Sequence, residues 1–144
     1  IWQMKLKVKY NELTNVINVL DRLQAKGLKS IHRTRLSRKL SEELERVVAE
    51  QKEIQKDYFE LDENGDPIMK DDKCKDKEEY LKTMNEFVNE EVVIDSGDSQ
   101  VMLRSVRQTL EESEIEWESQ EAYTYEYLYT SLSEDVAEQE EDTE

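Results

Sequence analysis

Residues 36–58 carry a single apolar stripe that constrains the fold more than any other feature of the chain. Counting the adjacent Val47 and Val48 as one step, its members recur at steps of three and four, with Gln51 as the polar member: Leu36, Leu40, Leu44, Val47/Val48, Gln51, Ile54 and Tyr58. This spacing is the period of an α-helix, and the opposite face is built from Glu, Lys and Arg. Because an isolated helix of this composition is only marginally stable, another element must cover the stripe.

Residues 76–91 provide the candidate partner for this helix. Their apolar positions are again at helical spacing: Tyr80, Leu81, Met84, Phe87 and Val88. Asp76 precedes them as a plausible N-cap. We therefore predict a long antiparallel helical hairpin with a β-turn or hairpin excursion at its tip.

Two short segments have the alternating pattern of strands. "MKLKVKY" (residues 4–10) alternates apolar residues with lysines, and "EVVID" (residues 91–95) is a short apolar run ended by a turn. We expect them to form a small sheet of two or three strands. Apolar periodicity also predicts a helix over residues 13–23 and C-terminal helices near residues 103–110 and 122–132. The predicted fold class is mainly α (α+β), in keeping with only three Gly and one Pro in the chain.

The domain boundaries follow from composition. Residues 1–132 are expected to form one domain, with Met4 as the native first residue and residues 1–3 interrupting the strand pattern. Residues 133–144 contain seven Asp or Glu in twelve positions. A segment of this composition cannot bury enough apolar surface to fold, so we predict a disordered acidic tail.

Charge is distributed very unevenly along the chain. The net charge is −16, but residues 1–40 hold ten Lys or Arg against two acids. No basic residue follows Arg107, while residues 108–144 hold fourteen Asp or Glu. This polarity indicates either internal pairing between the two ends or an electrostatically selected partner.

Residue usage argues against several classes of protein. No apolar run approaches the roughly 20 residues of a membrane span. The lone Cys74 excludes an internal disulfide and fits a reducing cytosol. His32 is the only histidine, which leaves few means for histidine-based metal or nucleophile chemistry, and we interpret it as part of a solvated helix face. We therefore expect a protein that is not an enzyme and that has no cofactor, no metal and no membrane association.

The stretch "LDENGDPI" (residues 61–68) has two interpretations, a calcium loop and a turn. Asp62, Asn64 and Asp66 fit the first three ligand positions of an EF-hand loop. The obligatory glycine is replaced by Pro67 and the bidentate glutamate by Lys73. The favoured interpretation is a type I′ hairpin turn at Asn64-Gly65.

Two clusters are candidates for interaction. One is an aromatic and acidic segment near the C-terminus, in which alternate tyrosines cannot share one helix face, so that some should be exposed to a partner protein. Its residues are Trp117, Tyr123, Tyr125, Tyr127, Tyr129, Glu116, Glu118 and Glu121. The other is the basic patch of Arg33, Arg35, Arg38 and Lys39. We expect this patch to pair with acids of the same chain or of a partner, because the surrounding negative charge repels nucleic acid.

Residues 4–95 resemble a family of small proteins of unknown function from tailed bacteriophages and prophages of Gram-positive bacteria. The most specific shared pieces are the aromatic residue followed by "DENG" and the block "NEFVNEEVVID". The resemblance implies a phage product made in the bacterial cytoplasm. It supplies no catalytic residues.

Two hypotheses for function follow. The first is a non-enzymatic accessory or structural phage protein that binds another protein, itself or a phage structural component, during virion or tail assembly. It would lie in the cytoplasm of the infected host or in the virion. The alternative is an acidic DNA mimic that inhibits a host nucleic-acid enzyme, of the anti-CRISPR or anti-restriction type.

Overall fold

The computed structural model describes the backbone of residues 2–136 and the side chains of residues 3–132. Within this range the chain forms five α-helices and three strands. The helices are α1 (Leu13–Arg22), α2 (Leu28–Tyr58), α3 (Lys77–Val88), α4 (Gln100–Glu111) and α5 (Ser119–Ser131). The strands are β1 (Trp2–Lys9), β2 (Glu91–Ile94) and β3 (Leu132–Val136). The prediction of a mainly helical α+β fold is confirmed.

The sheet is antiparallel, with β1 between β2 and β3. β1 pairs with β2 from Leu6↔Ile94 to Lys9↔Glu91, and with β3 from Trp2↔Val136 to Leu6↔Leu132. Along β1 the apolar side chains Met4, Leu6 and Val8 are buried, whereas the intervening lysines face outward. The buried face packs against α4 and α5, so the strand's alternation divides the sheet into a core face and a solvent face.

A segment near the start of the sequence, β1, pairs with a late segment, β3, and this pairing corrects two predictions. Residues 133–136 were expected to belong to a disordered tail, but their backbone continues β3 beside β1. The expected interruption at residues 1–3 was also wrong for Trp2 and Gln3, which are part of β1. Both segments are ordered because β1 and β3 pair with each other. Local composition does not reveal a contact between segments so far apart in sequence. The rest of the predicted tail, residues 137–144, lies outside the described residues.

The long helix α2 is covered by three helices instead of one. Its first half packs mainly against α1 and α4, where Leu36 and Leu40 are fully buried. Its last turns meet α3, where Tyr58 Oη lies 3.1 Å from Thr83 Oγ1. The reason is length: 31 residues of helix extend about 46 Å, whereas the 12 residues of α3 extend only about 18 Å. Asp76 caps α3 as predicted, its Oδ1 accepting from Glu79 N–H at 3.1 Å.

Candidate functional site

The "DENG" stretch at the tip is a turn whose polar groups are already engaged. Asp62 N–H donates to the Asp66 carbonyl at 2.8 Å, and Gly65 N–H donates to the Asp62 carbonyl at 3.0 Å. Gly65 has φ +80°, whereas Asn64 does not have a positive φ. This is a three-residue hairpin loop ending in a left-handed glycine, so the predicted type I′ turn was wrong in its type.

Two of the three side chains that suggested calcium binding, Asp62 and Asp66, are engaged by groups of the protein itself. Asp62 Oδ1 accepts from the N–H groups of Asn64 and Asp66, at 2.8 and 3.0 Å. The Asp66 carboxylate lies 2.6 Å from Lys52 Nζ, and this ion pair lowers the pKa of Asp66 and raises that of Lys52. Over the described residues, no three His, Cys, Asp or Glu side chains cluster in a way that could hold a metal ion.

Most of the aromatic and acidic segment is built into the fold. Trp117 and Tyr125 stack with centroids 5.4 Å apart, and Tyr125 and Tyr129 stack at 6.4 Å. A guanidinium lies against each end of this ladder, Arg22 over Trp117 at 5.1 Å and Arg107 over Tyr129 at 5.9 Å. Stacked rings with flanking cations stabilise the packing of α5 against α1 and α4.

The tyrosine hydroxyls fasten the same helix to its neighbours. Tyr125 donates to the Leu110 carbonyl at the end of α4, and burial raises the pKa of Tyr125. Tyr129 Oη donates to Glu111 Oε1 at 3.2 Å. Tyr127 Oη accepts from the Lys9 N–H at 2.9 Å, at the end of β1. Four of the five aromatic residues singled out in the sequence therefore have structural contacts.

Tyr123 is the exception, with 73% of its surface exposed. It lies on an outward stripe of α5, hereafter the α5 outer stripe, formed by Ser119, Tyr123, Glu126 and Thr130. Ser119, at the start of the helix, has φ +52°, an uncommon value for a residue other than glycine. Glu116 and Glu118 are exposed in the segment leading into this stripe.

Some of the basic residues early in the chain form ion pairs with acidic residues of its last third. Arg22 pairs with Glu121, and Lys29 Nζ lies 2.8 Å from Glu112 Oε2. Both pairs join the basic first third of the chain to its acidic last third. Glu121 is therefore a structural residue, in contrast to Glu116 and Glu118.

The predicted basic patch is divided in the structure. Arg33 donates to the Leu23 carbonyl and so satisfies the C-terminus of α1. Arg35 and Arg38 are exposed and line a shallow groove of about 280 Å³ with Ile31. Lys39 faces a different groove, on the side of β2. The pKa of Asp98 is lowered mainly by its hydrogen bond from Ser96, and the charge of Lys39 makes a smaller contribution.

His32 contradicts its predicted place on a solvated face. Its side chain is 95% buried, since only 5% of its surface is exposed, and Nδ1 has no hydrogen-bond partner in the described structure. The position lies on the same side of α2 as Leu36, which the helical spacing of four residues could have indicated.

A surface that the sequence did not reveal is the free edge of β2. It forms one wall of a groove of about 220 Å³, and Lys39, Glu42 and Glu43 of α2 form the other wall. The only sequence signal was the strand itself. Which strand stays at the edge of a sheet depends on the tertiary pairing.

The chain matches no family model, no curated protein and no solved structure. The resemblance to bacteriophage proteins stays a prediction. No helix in residues 2–136 is both long and apolar enough to cross a membrane.

Proposed function

We propose that this chain is a non-enzymatic bacteriophage accessory or structural protein that acts by binding another protein. The observation that carries the proposal is the α5 outer stripe, where Tyr123 is 73% exposed although the other aromatic residues of its segment are engaged in the fold. Tyrosine at an exposed position is typical of interface anchors, because a rigid ring contributes large contact area at low entropic cost.

The surroundings of Tyr123 suit a polar interface rim. Glu126 and Thr130 follow it on the same stripe, one and two helical turns further along α5. Their neighbours on the inner side hold α5 against α1, α4 and β1. A partner would therefore meet a preorganised surface, which lowers the entropic cost of binding.

The biological setting comes from the resemblance of residues 4–95 to proteins of tailed phages. A phage product with an interface of this kind fits a role in virion or tail assembly, in the cytoplasm of the infected cell or in the particle. The chain need not supply chemistry for such a role, because the binding surface alone performs it.

The alternative of a DNA mimic has weaker support from the geometry. A mimic presents unpaired carboxylates at phosphate-like density. Here Glu111, Glu112 and Glu121 are paired with Arg107, Lys29 and Arg22. The pairing removes three carboxylates from the acidic surface of the last third.

Site-specific photo-crosslinking in cells where the phage is replicating tests the proposal. A benzophenone amino acid replaces Tyr123 in one variant and Val101, which is 66% exposed on α4, in a matched control. We expect position 123 to crosslink to a virion or assembly protein and position 101 not to do so. Crosslinking of position 123 to a host nuclease, or to no protein at all, would contradict the proposed role.

A further inference from the structure

The backbone of β2 has a free hydrogen-bonding edge. Tyr10 N–H donates to the Glu90 carbonyl at 2.9 Å. This bond fixes the phase of the β1–β2 ladder, that is, which facing residues exchange hydrogen bonds. In an antiparallel pair, hydrogen-bonded and non-bonded positions alternate, so Val8↔Val92 and Leu6↔Ile94 are the bonded pairs. The N–H and C=O groups of Glu91 and Val93 therefore point away from β1.

Two contacts on β1 agree with this phase. Lys9 N–H points away from β2, since it donates to Tyr127 Oη at 2.9 Å. Met4 N–H points the other way, to the side of β2, and donates to Gln100 Oε1 at 2.6 Å. Among the described residues, no group outside the strand ladder bonds to the backbone of Glu91 or Val93.

The free edge is accessible and partly apolar. Val93 is 48% exposed, and the groove of about 220 Å³ runs between residues 92–96 and α2. A neighbouring strand needs a spacing of about 4.8 Å from the edge that it joins. An open edge of this kind is a template for an added strand.

The charged side chains that border the open side of β2 are mainly acidic, whereas Lys7 and Lys9 of β1 lie on its paired side, one strand further from an added segment. Glu90, Glu91, Asp95 and Glu42 have carboxylates without an ion-pair partner in the described part of the chain, and Glu43 pairs only with Arg46 on its own helix. Among the described residues that line the groove, Lys39 is the one cation. The charge around the edge therefore favours a basic occupant over an acidic one.

The chain itself shows which strand chemistry suits β2. On its paired side, β2 receives the alternating sequence of β1, with Lys9 opposite Glu91 and Val8 opposite Val92. Opposite charges and apolar side chains in facing positions stabilise a strand pair. A second copy of β2 would instead bring a second Glu91 and Asp95 to the same edge, where like charges repel.

We infer that the free edge of β2 binds an extended segment of a partner protein in which Lys or Arg alternates with apolar residues. Backbone hydrogen bonds to Glu91 and Val93 hold the segment, and the carboxylates around the groove select its charge. The inference concerns a surface separate from the α5 outer stripe and goes beyond the proposed function, so either can fail without the other.

A peptide with the sequence of residues 4–10, blocked at both ends and fluorescently labelled, is the probe. Its control has the three lysines replaced by glutamates. Fluorescence anisotropy on the full chain measures binding, and amide hydrogen exchange locates it. We expect the basic peptide to bind at least about tenfold more tightly than its control and to slow exchange at Glu91 and Val93.

The decisive variant is Val93→Pro, because proline removes an N–H that points away from β1 and is tolerated at strand edges. Val93→Thr keeps both the N–H and the side-chain shape and is its matched control. We expect Val93→Pro to weaken peptide binding about tenfold and Val93→Thr to leave it unchanged.

A second variant secures the result if proline disturbs the sheet. Glu42→Lys combined with Glu91→Lys changes only exposed side chains and should reverse the preference between the two peptides. No binding by the chain, equal binding of both peptides, or unchanged binding by Val93→Pro would overturn the inference. Self-association of the chain through β2 would overturn it as well.

Discussion

The guanidinium of Arg22 lies over the indole of Trp117, 5.1 Å from the ring centroid. The same side chain pairs with Glu121 on α5. One guanidinium on α1 thus contacts two residues that lie nearly a hundred positions further along the sequence. This contact attaches the acidic, aromatic last third of the chain to the basic first third.

Replacing Arg22 by Gln should lower the free energy of unfolding by about 1 kcal/mol, because it removes a partly exposed cation–π contact and an ion pair. Chemical denaturation measures the change. Arg35→Gln is the matched control, since Arg35 is exposed on α2, and should be neutral within about 0.5 kcal/mol. Equal effects at both positions would show that the Arg22 contacts do not hold α5.

Two tyrosines of α5 should separate stability from binding. Tyr125→Ala removes a stacked ring and a hydrogen bond to Leu110, so we expect a loss of about 2 to 3 kcal/mol. Tyr123→Ala should change stability by less than about 0.5 kcal/mol but abolish binding to the partner identified by crosslinking. Thermal unfolding and pull-down of that partner provide the two measurements. A destabilised Tyr123→Ala variant would remove the distinction.

The glycines at two turns offer a test of backbone conformation. Gly65 has φ +80° with open space around it, so alanine there costs about 1 kcal/mol through conformation alone. Gly97 also has open space but no positive φ, and Gly97→Ala should be close to neutral. Comparing the unfolding midpoints of the two variants checks the turn. Similar midpoints would argue against the left-handed glycine at the tip.

The Asp66–Lys52 pair predicts a pH dependence at the tip. Because Lys52 lowers the pKa of Asp66 in the folded chain, the stabilisation is present above the ordinary value of 3.8. It is lost as the pH falls through the lower folded pKa. Carboxyl carbon chemical shifts followed by NMR should show the pKa of Asp66 rising in Lys52→Gln. Lys82→Gln is a control on α3, and a shift there of equal size would contradict the assignment.

The ring of Tyr125 should titrate at higher pH than an exposed tyrosine, because burial raises its pKa above the ordinary value of 10.0. The stabilisation from the neutral ring is fully present below pH 10.0. It is lost as the pH rises through the folded pKa. NMR of ring-labelled tyrosine measures this, with Tyr123 as the exposed reference. A Tyr125 that titrates together with Tyr123 would show that its ring is not desolvated.

The amino-acid sequence by itself determined the local elements of this protein. Helical spacing from Leu36 to Tyr58 predicted the long helix α2. Asp76 predicted the N-cap of α3, and the alternation of lysines with apolar residues predicted β1. These features depend on neighbours along the chain, and short-range sterics and periodic burial are encoded there.

Only the tertiary structure decided which surfaces remain available. The ladder of Trp117, Tyr125 and Tyr129 looked like an exposed interface in sequence, but Arg22 and Arg107 enclose it in the fold. The chain segment beyond Leu132 looked disordered until β1 gave residues 133–136 a strand to pair with. Exposure of Tyr123 and the open edge at Val93 likewise depend on contacts between distant residues, and local pattern carries no information about which distant segment will cover a given face.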